Sequence, residues 1–248
     1  MQPESVYQTI ASAKKQGKKL FTVLIDPDKS RMEQLPKLLE AAASEQVDFF
    51  FVGGSLLFQD RLEECLDLIQ TNCPIPVVLF PGSPLQISKN ARALLLLALI
   101  SGRNPELLIG QHVIAAPYLK NAGIEIIPTG YVLVDGGKTT SAAYISNTMP
   151  IPVDKPEIAA CTAMAGEMLG LRLLYLDAGS GAHRPVPPQT TRAVAQSVDI
   201  PLIVGGGLRT PEQINAQFSA GADMVVVGNA FEENPDLLKV LAKRTQLP

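Results

Sequence analysis

Eight short, nearly unbroken apolar runs recur along the chain, and almost every one ends in glycine, a small polar residue or a carboxylate. They are "LFTVLIDP" from Leu20, "VDFFFVGG" from Val47, "IPVVLFPG" from Ile75, "ALLLLALISG" from Ala93, "GIEIIPTGYVLVDG" from Gly123, "LRLLYLDAG" from Leu171, "IPLIVGGG" from Ile200 and "ADMVVVGNA" from Ala222. A strand with one face in water alternates apolar and polar residues; a strand covered on both faces does not. The runs therefore predict a parallel sheet, and eight of them separated by helical segments predict an α/β fold of the (β/α)8 TIM-barrel type. A doubly wound open sheet is the alternative, but it does not as naturally place glycines after so many successive strands. The chain has 248 residues, a size that suits one such barrel, and no linker or low-complexity block interrupts it, so residues 1–248 read as a single domain.

Helix punctuation is legible between several runs. Ser30 and Glu33 have capping-box spacing before "MEQLPKLLEAAASEQ", although Pro36 threatens its first turns. Thr210, Pro211 and Gln213 signal a helix start before "INAQFSAGAD", and Gly221 suits its stop. "PEIAACTAMAGEMLG" has Pro156 at its start and Gly170 at its end.

A net charge of −3 with 18% charged residues argues against a nucleic-acid partner. The longest apolar run, Ala93 to Ile100, is far short of the ~20 residues that span a bilayer. The first residues, "MQPESVYQTIASAKKQGKKL", read as a polar helix and not as a secretory signal, which predicts a cytoplasmic protein. Lys14, Lys15, Lys18 and Lys19 read as a solvated helix face and turn, with weak membrane-surface contact as the sharper alternative. Cys65, Cys73 and Cys161 have no metal-ligand spacing with His112 or His183 and read as ordinary thiols.

Chemistry in such folds gathers where strands end. Gly206, Gly207, Gly228 and Asn229 follow the last two runs, where barrel enzymes commonly cradle a phosphate with bare backbone N–H groups and a helix N-terminus. The bland alternative is tight strand-to-helix turns. "DAGSGA" adds donors from Ser180 and Gly181, with Asp177 facing the ligand or acting as a turn acceptor. Asp26 closes the first run. A carboxylate near a phosphate invites a cation, and Mg²⁺ prefers oxygen ligands completed by substrate phosphates, so Asp26 with the Ser55 hydroxyl is a candidate seat. An Asp-Pro turn involving Asp28 and Lys29 is the competing explanation. Arg103, Lys120 and Lys138 read as surface charges that can also meet phosphate, and His112 and His183 are too separated to form an acid/base pair.

The segments "FTVLIDPDK", "FFFVGGSLL", "VVLFPGS", "YLDAGSGA", "IVGGGLRTPEQ" and "DMVVVGNAFEE", in this order, resemble the geranylgeranylglyceryl phosphate synthase family across nearly the whole chain. The longer "GYVLVDGGKTTSAAYISNTMPIP" resembles its larger geranylgeranyl branch, related to the heptaprenylglyceryl phosphate synthases. The resemblance implies a Mg²⁺-dependent prenyltransferase that joins the C3 hydroxyl of sn-glycerol 1-phosphate to geranylgeranyl diphosphate through an ether bond in lipid biosynthesis. It implies Mg²⁺ on Asp26 and Ser55, and glycerol phosphate on Tyr175, Leu176, Asp177, Ala178, Gly179, Ser180, Gly181, Gly206, Gly207, Gly228 and Asn229. It also implies a homo-oligomer with at most peripheral membrane contact. The family commonly has glutamate where this chain has the shorter Asp177, the expected general base. "LLLLALISGRNPELLIG" with Phe80, Tyr118 and Tyr131 supplies candidate lining for the prenyl tail, with core packing the equal alternative for most of them. A phosphosugar isomerase or lyase, or a non-catalytic phospholigand barrel, are the competing functions.

Overall fold

Each of the eight apolar runs contributes one strand: β1 Leu20–Ile25, β2 Phe49–Val52, β3 Val77–Leu79, β4 Ala93–Leu99, β5 Glu125–Leu133, β6 Leu173–Asp177, β7 Leu202–Gly205 and β8 Met224–Val227. The structure is a computed structural model and describes residues 5–28, 33–45, 47–59, 61–228, 231 and 237–242. All strands pair in parallel with their sequence neighbours, and β8 returns to β1 with Phe21 opposite Val225, closing the barrel. The open-sheet alternative is thereby removed.

Closure explains why the runs lack alternation. Along β6, Leu173 and Tyr175 point into the barrel with Ile203, Met224 and Val226, whereas Leu174 and Leu176 point out into the layer shared with the helices. Both layers are dry, so both sets of side chains are predominantly apolar, with buried Thr22 and Thr129 as exceptions.

The helices are α1 Val6–Lys15, α2 Leu35–Ser44, α3 Leu62–Asn72, α4 Gln111–Ala122, α5 Ser141–Ser146, α6 Pro156–Met168, α7 Pro188–Ala195, α8 Pro211–Ser219 and α9 Leu237–Leu241, with a wide π-type turn, Glu106–Gly110, leading into α4. The predicted capping box at Thr210 and Gln213 forms, and α6 starts at Pro156. Helix α2 begins at Leu35 with Pro36 in its first turn, where a missing N–H has no helical partner to lose; Ser30 and Lys29 lie outside the described residues.

One expected helix does not form. Between β3 and β4 the described chain carries no helix, because "FPGSPLQISKNAR" places Pro81, Gly82 and Pro84 in a short connection and starves it of a helical nucleus. Buried Gln86 organises this segment instead. Its Oε1 accepts from the N–H groups of Gly54 and Gly82, both at 3.2 Å, and its Nε2 donates to the Gly54 carbonyl at 2.8 Å.

Helix α1 packs on the interior side of the sheet, with Val6, Ile10 and Ala13 in the same apolar cluster as Leu20, Phe49 and Met224. Its start is held by Glu125, which accepts from Ser5 Oγ at 2.6 Å, Val6 N at 2.7 Å and Tyr7 N at 3.2 Å. Lys15 and Lys18 are exposed, as a solvated face and turn require, but Lys14 and Lys19 are half-buried. Lys14 pairs with Asp223 at 3.0 Å, Lys18 lies 3.6 Å from Asp48, and Lys19 donates to the Ala222 carbonyl at 2.8 Å. Lys14 and Lys19 tie α1 and β1 to the β7–β8 connection, whereas Lys18 faces the start of β2; burial lowers the Lys19 pKa. Replacing Glu125 with alanine strands three donors at once; the expected loss is about 1–3 kcal/mol of unfolding free energy, read from the shift of the urea midpoint.

Candidate active site

Two cavities open at the carboxyl ends of the strands. The polar one is lined by Asp26, Ser55, Tyr175, Asp177, Ser180, Gly181, Gly206, Gly207 and Gly228, so residues far apart in sequence share one wall-to-wall space. Leu176 and Ala178 are elsewhere: strand alternation turns their side chains into the helix-facing core. Gly179 does not line the cavity but supplies an N–H beneath it, and Asn229 lies outside the described residues.

Asp177 is the centre of the arrangement. It ends β6, is 6% exposed, and is inward-facing by the alternation set at Leu173. Its Oδ1 accepts from Gly179 N at 2.7 Å, and its Oδ2 accepts from the Tyr131 hydroxyl at 2.5 Å. The first bond makes Asp177 a turn acceptor as well as a cavity residue. Burial pushes its carboxyl above the usual range, opposed by the two hydrogen bonds. Burial, then the neighbouring carboxylate, drive Tyr131 and Tyr175 well above the ordinary phenol range, so both keep their protons at neutral pH.

Glycine is required by contact here. Gly206 has φ +78°, and a Cβ on it would run into Asp177 Oδ1 and come within 2.6 Å of Gly179 N. The β7 loop therefore presses bare backbone onto the β6 loop, with Gly207 at φ +71° continuing it. Loops of this kind expose backbone N–H groups to an anion. Asp26 directly follows β1 and is buried, and its Oδ1 accepts from Asp28 N at 3.1 Å. Asp28 in turn accepts from the N–H groups of Phe58 and Gln59, joining the β1 and β2 loops. No group of three or more His, Cys, Asp or Glu that could cage a metal occurs among the described residues.

The second cavity is an apolar groove. It begins at Phe80, Leu99 and Tyr131 and reaches Leu94 and Leu96 on the outer face of β4, where it is walled by Pro81, Pro84 and Ile87 on one side and Ala115 and Leu119 on the other. It occupies the place a helix between β3 and β4 would fill. Tyr118, expected in this lining, is 65% exposed on the far side of α4. His112 does line the groove, with Nε2 at 2.9 Å from the Leu97 carbonyl, whereas Arg103 folds onto the carbonyls of Ile100 and Gly102. Lys120, Lys138 and His183 line neither cavity.

Tyr131 and Arg209 are site residues without an assigned polar role in the sequence reading. Tyr131 sits within an unremarkable apolar strand, and its ring is fixed edge-on to Phe80 at 5.8 Å and to Tyr175 at 5.6 Å, while Phe80 stacks on Tyr175 at 5.0 Å. Arg209 lines the polar cavity and donates to the Ala182 carbonyl at 3.0 Å. Its signal was its position directly after "GGGL", a cation next to a cradle.

The PcrB family model matches residues 13–245. Among curated proteins, the geranylgeranylglyceryl phosphate synthase of Spirosoma linguale is 56% identical over 91% of both chains, and that of Chitinophaga pinensis is 52% identical over 96% of this chain and 94% of its own. The crystal structure of (S)-3-O-geranylgeranylglyceryl phosphate synthase from Thermoplasma acidophilum in complex with sn-glycerol-1-phosphate superposes with a TM-score of 0.91, at 34% identity, covering 97% of this chain and 96% of the other.

Because the Asp177 pKa is raised on folding, its stabilising contribution is complete below the unfolded value of about 3.9 and is lost as pH rises through the folded one. Asp177→Asn is therefore expected to gain stability over wild type at pH 7, with that gain shrinking at about pH 3.5. Urea unfolding at both pH values checks this; a difference that does not change with pH contradicts it.

Proposed function

This chain belongs to the PcrB family, and from that premise we propose that it is a geranylgeranylglyceryl phosphate synthase. It joins the C3 hydroxyl of sn-glycerol 1-phosphate to geranylgeranyl diphosphate and releases diphosphate. The observation that carries this reading is the junction of the two cavities: Ser55, Phe80 and Tyr131 line both, so a polar phosphoester and an apolar tail meet beside Asp177. An isomerase or lyase acting on a phosphosugar has no use for the groove.

The glycine backbone of the β6 and β7 loops, with Gly228 and the Arg209 guanidinium nearby, suits the phosphate of the glycerol substrate. Held there, the substrate's far hydroxyl points at the junction, and positioning replaces a bimolecular search. The groove takes the prenyl chain, each buried CH₂ contributing about 0.8 kcal/mol. Burial of the chain also excludes water from the allylic carbon, which would otherwise be hydrolysed. Asp177 is the final acceptor of the hydroxyl proton.

Asp26 and Ser55 suit Mg²⁺: a carboxylate and a hydroxyl at one rim match an ion that takes one or two protein oxygens and completes its shell with water and phosphate. When bound, the ion supplies charge neutralisation for the departing diphosphate. Both residues sit on the β1 and β2 loops and the glycines on the β6 and β7 loops of the same cavity, an arrangement that would give the two phosphate-bearing substrates separate seats.

Product analysis by mass spectrometry after incubation with both glycerol phosphate enantiomers, Mg²⁺ and a mixture of prenyl diphosphates is expected to give a geranylgeranyl ether of the 1-phosphate alone. Absence of any ether overturns the assignment. Asp26→Asn is expected to lower turnover by about 100-fold or more and to raise the Mg²⁺ concentration at half-maximal rate; wild-type rates with an unchanged Mg²⁺ requirement contradict the metal seat.

A further inference from the structure

We propose that Tyr131 is a catalytic residue, a proton relay that passes the proton of the glycerol hydroxyl to Asp177. The inference rests on the synthase reading above. It starts from the way Asp177 is occupied. Its Oδ1 is bonded to Gly179 N and pressed by the backbone of Gly206, and its Oδ2 is bonded to the Tyr131 hydroxyl at 2.5 Å. The carboxylate is 6% exposed, so a substrate hydroxyl has little open carboxylate surface to approach.

Tyr131 is placed where the carboxylate is not. Among the described residues, six line both cavities, Gly54, Ser55, Phe80, Tyr131, Ala142 and Ile145, and of these Tyr131 carries the hydroxyl that is bonded to Asp177. Its ring is held by edge contacts to Phe80 and Tyr175, which fix the phenol oxygen without a flexible tether.

The step balances without any further reactant. The hydroxyl oxygen gives a lone pair to the allylic carbon as the carbon–oxygen bond to diphosphate breaks, and diphosphate leaves with that electron pair. The new oxonium is strongly acidic, so its proton moves to the Tyr131 oxygen while the phenol proton moves to Asp177 Oδ2. Tyr131 ends neutral and Asp177 ends protonated, ready to return the proton to solvent when product leaves. No standing tyrosinate is needed, in keeping with a phenol that burial and a neighbouring carboxylate hold well above its ordinary range.

The test compares wild type, Tyr131→Phe, Asp177→Glu and the double variant, using sn-glycerol 1-phosphate, geranylgeranyl diphosphate and Mg²⁺. Tyr131→Phe is expected to lower kcat by about 100-fold, the low end of general acid–base effects, with the KM for glycerol phosphate within about threefold because no binding contact to it is removed. Adding Asp177→Glu to Tyr131→Phe is expected to restore at least about tenfold of the loss, since the extra methylene carries a carboxylate oxygen into the space the phenol oxygen vacated. Wild-type turnover with an unimpaired Tyr131→Phe overturns the relay and leaves the synthase reading intact. A Tyr131→Phe loss that Asp177→Glu does not relieve assigns Tyr131 to packing and also overturns it. A wild-type enzyme that forms no ether overturns the synthase reading and the relay with it.

Discussion

A parallel strand bonded on both edges and covered on both faces has nothing left to offer solvent except its end. That constraint governs this protein. Inward residues such as Tyr175 and Ile203 and outward ones such as Leu174 and Val204 are all committed to apolar layers, so a polar side chain can be tolerated where the strand stops. Asp26 and Asp177 stand at two such stops. Their inward direction is inherited from the pleat, and their burial follows from the closed barrel around them. The loops then supply what the strands cannot: bare backbone, hydroxyls and a guanidinium.

The same constraint explains why the fold could be read from the sequence in such detail. Unbroken apolar runs leave little choice of sheet type, and each run holds its strand. Proline and glycine also spoke clearly, as at Thr210–Pro211–Gln213 and Gly221. What escaped was long-range pairing. The lysines of the first helix look solvated in any local window, and only the return of β8 to β1 brings Asp223 within 3.0 Å of Lys14. Tyr118 looked like groove lining because helix phase decides which face it occupies, and the wide turn at Glu106–Gly110 shifts that phase just before α4.

Within the site, the glycine clusters after β6, β7 and β8 were visible because glycine has few reasons to recur at strand ends. The bond between Tyr131 and Asp177 was not visible. The two residues are 46 positions apart and belong to adjacent strands, in register only one rung from direct opposition, since Leu133 faces Asp177 and Tyr131 faces Tyr175. An aromatic in a long apolar strand has packing as its ordinary explanation, and only the register reveals that its hydroxyl tip reaches the neighbouring strand's carboxylate. Arg209 is a similar case, its meaning fixed by the Ala182 carbonyl on another loop.

The missing helix between β3 and β4 leaves the outer face of β4 open at Leu96, without the full cover that neighbouring strands receive from the chain itself. On the proposed function, a prenyl tail lying there would supply that cover from outside, as a detachable piece of the hydrophobic layer. Binding the tail is then a small act of folding: it removes apolar wall from water just as docking a helix does, and it carries the same thermodynamic signature, a negative change in heat capacity. Release of an ether product would reverse that act and return the wall to water, so hydration of the barrel's own apolar wall would join the phosphate seat in setting how long product stays.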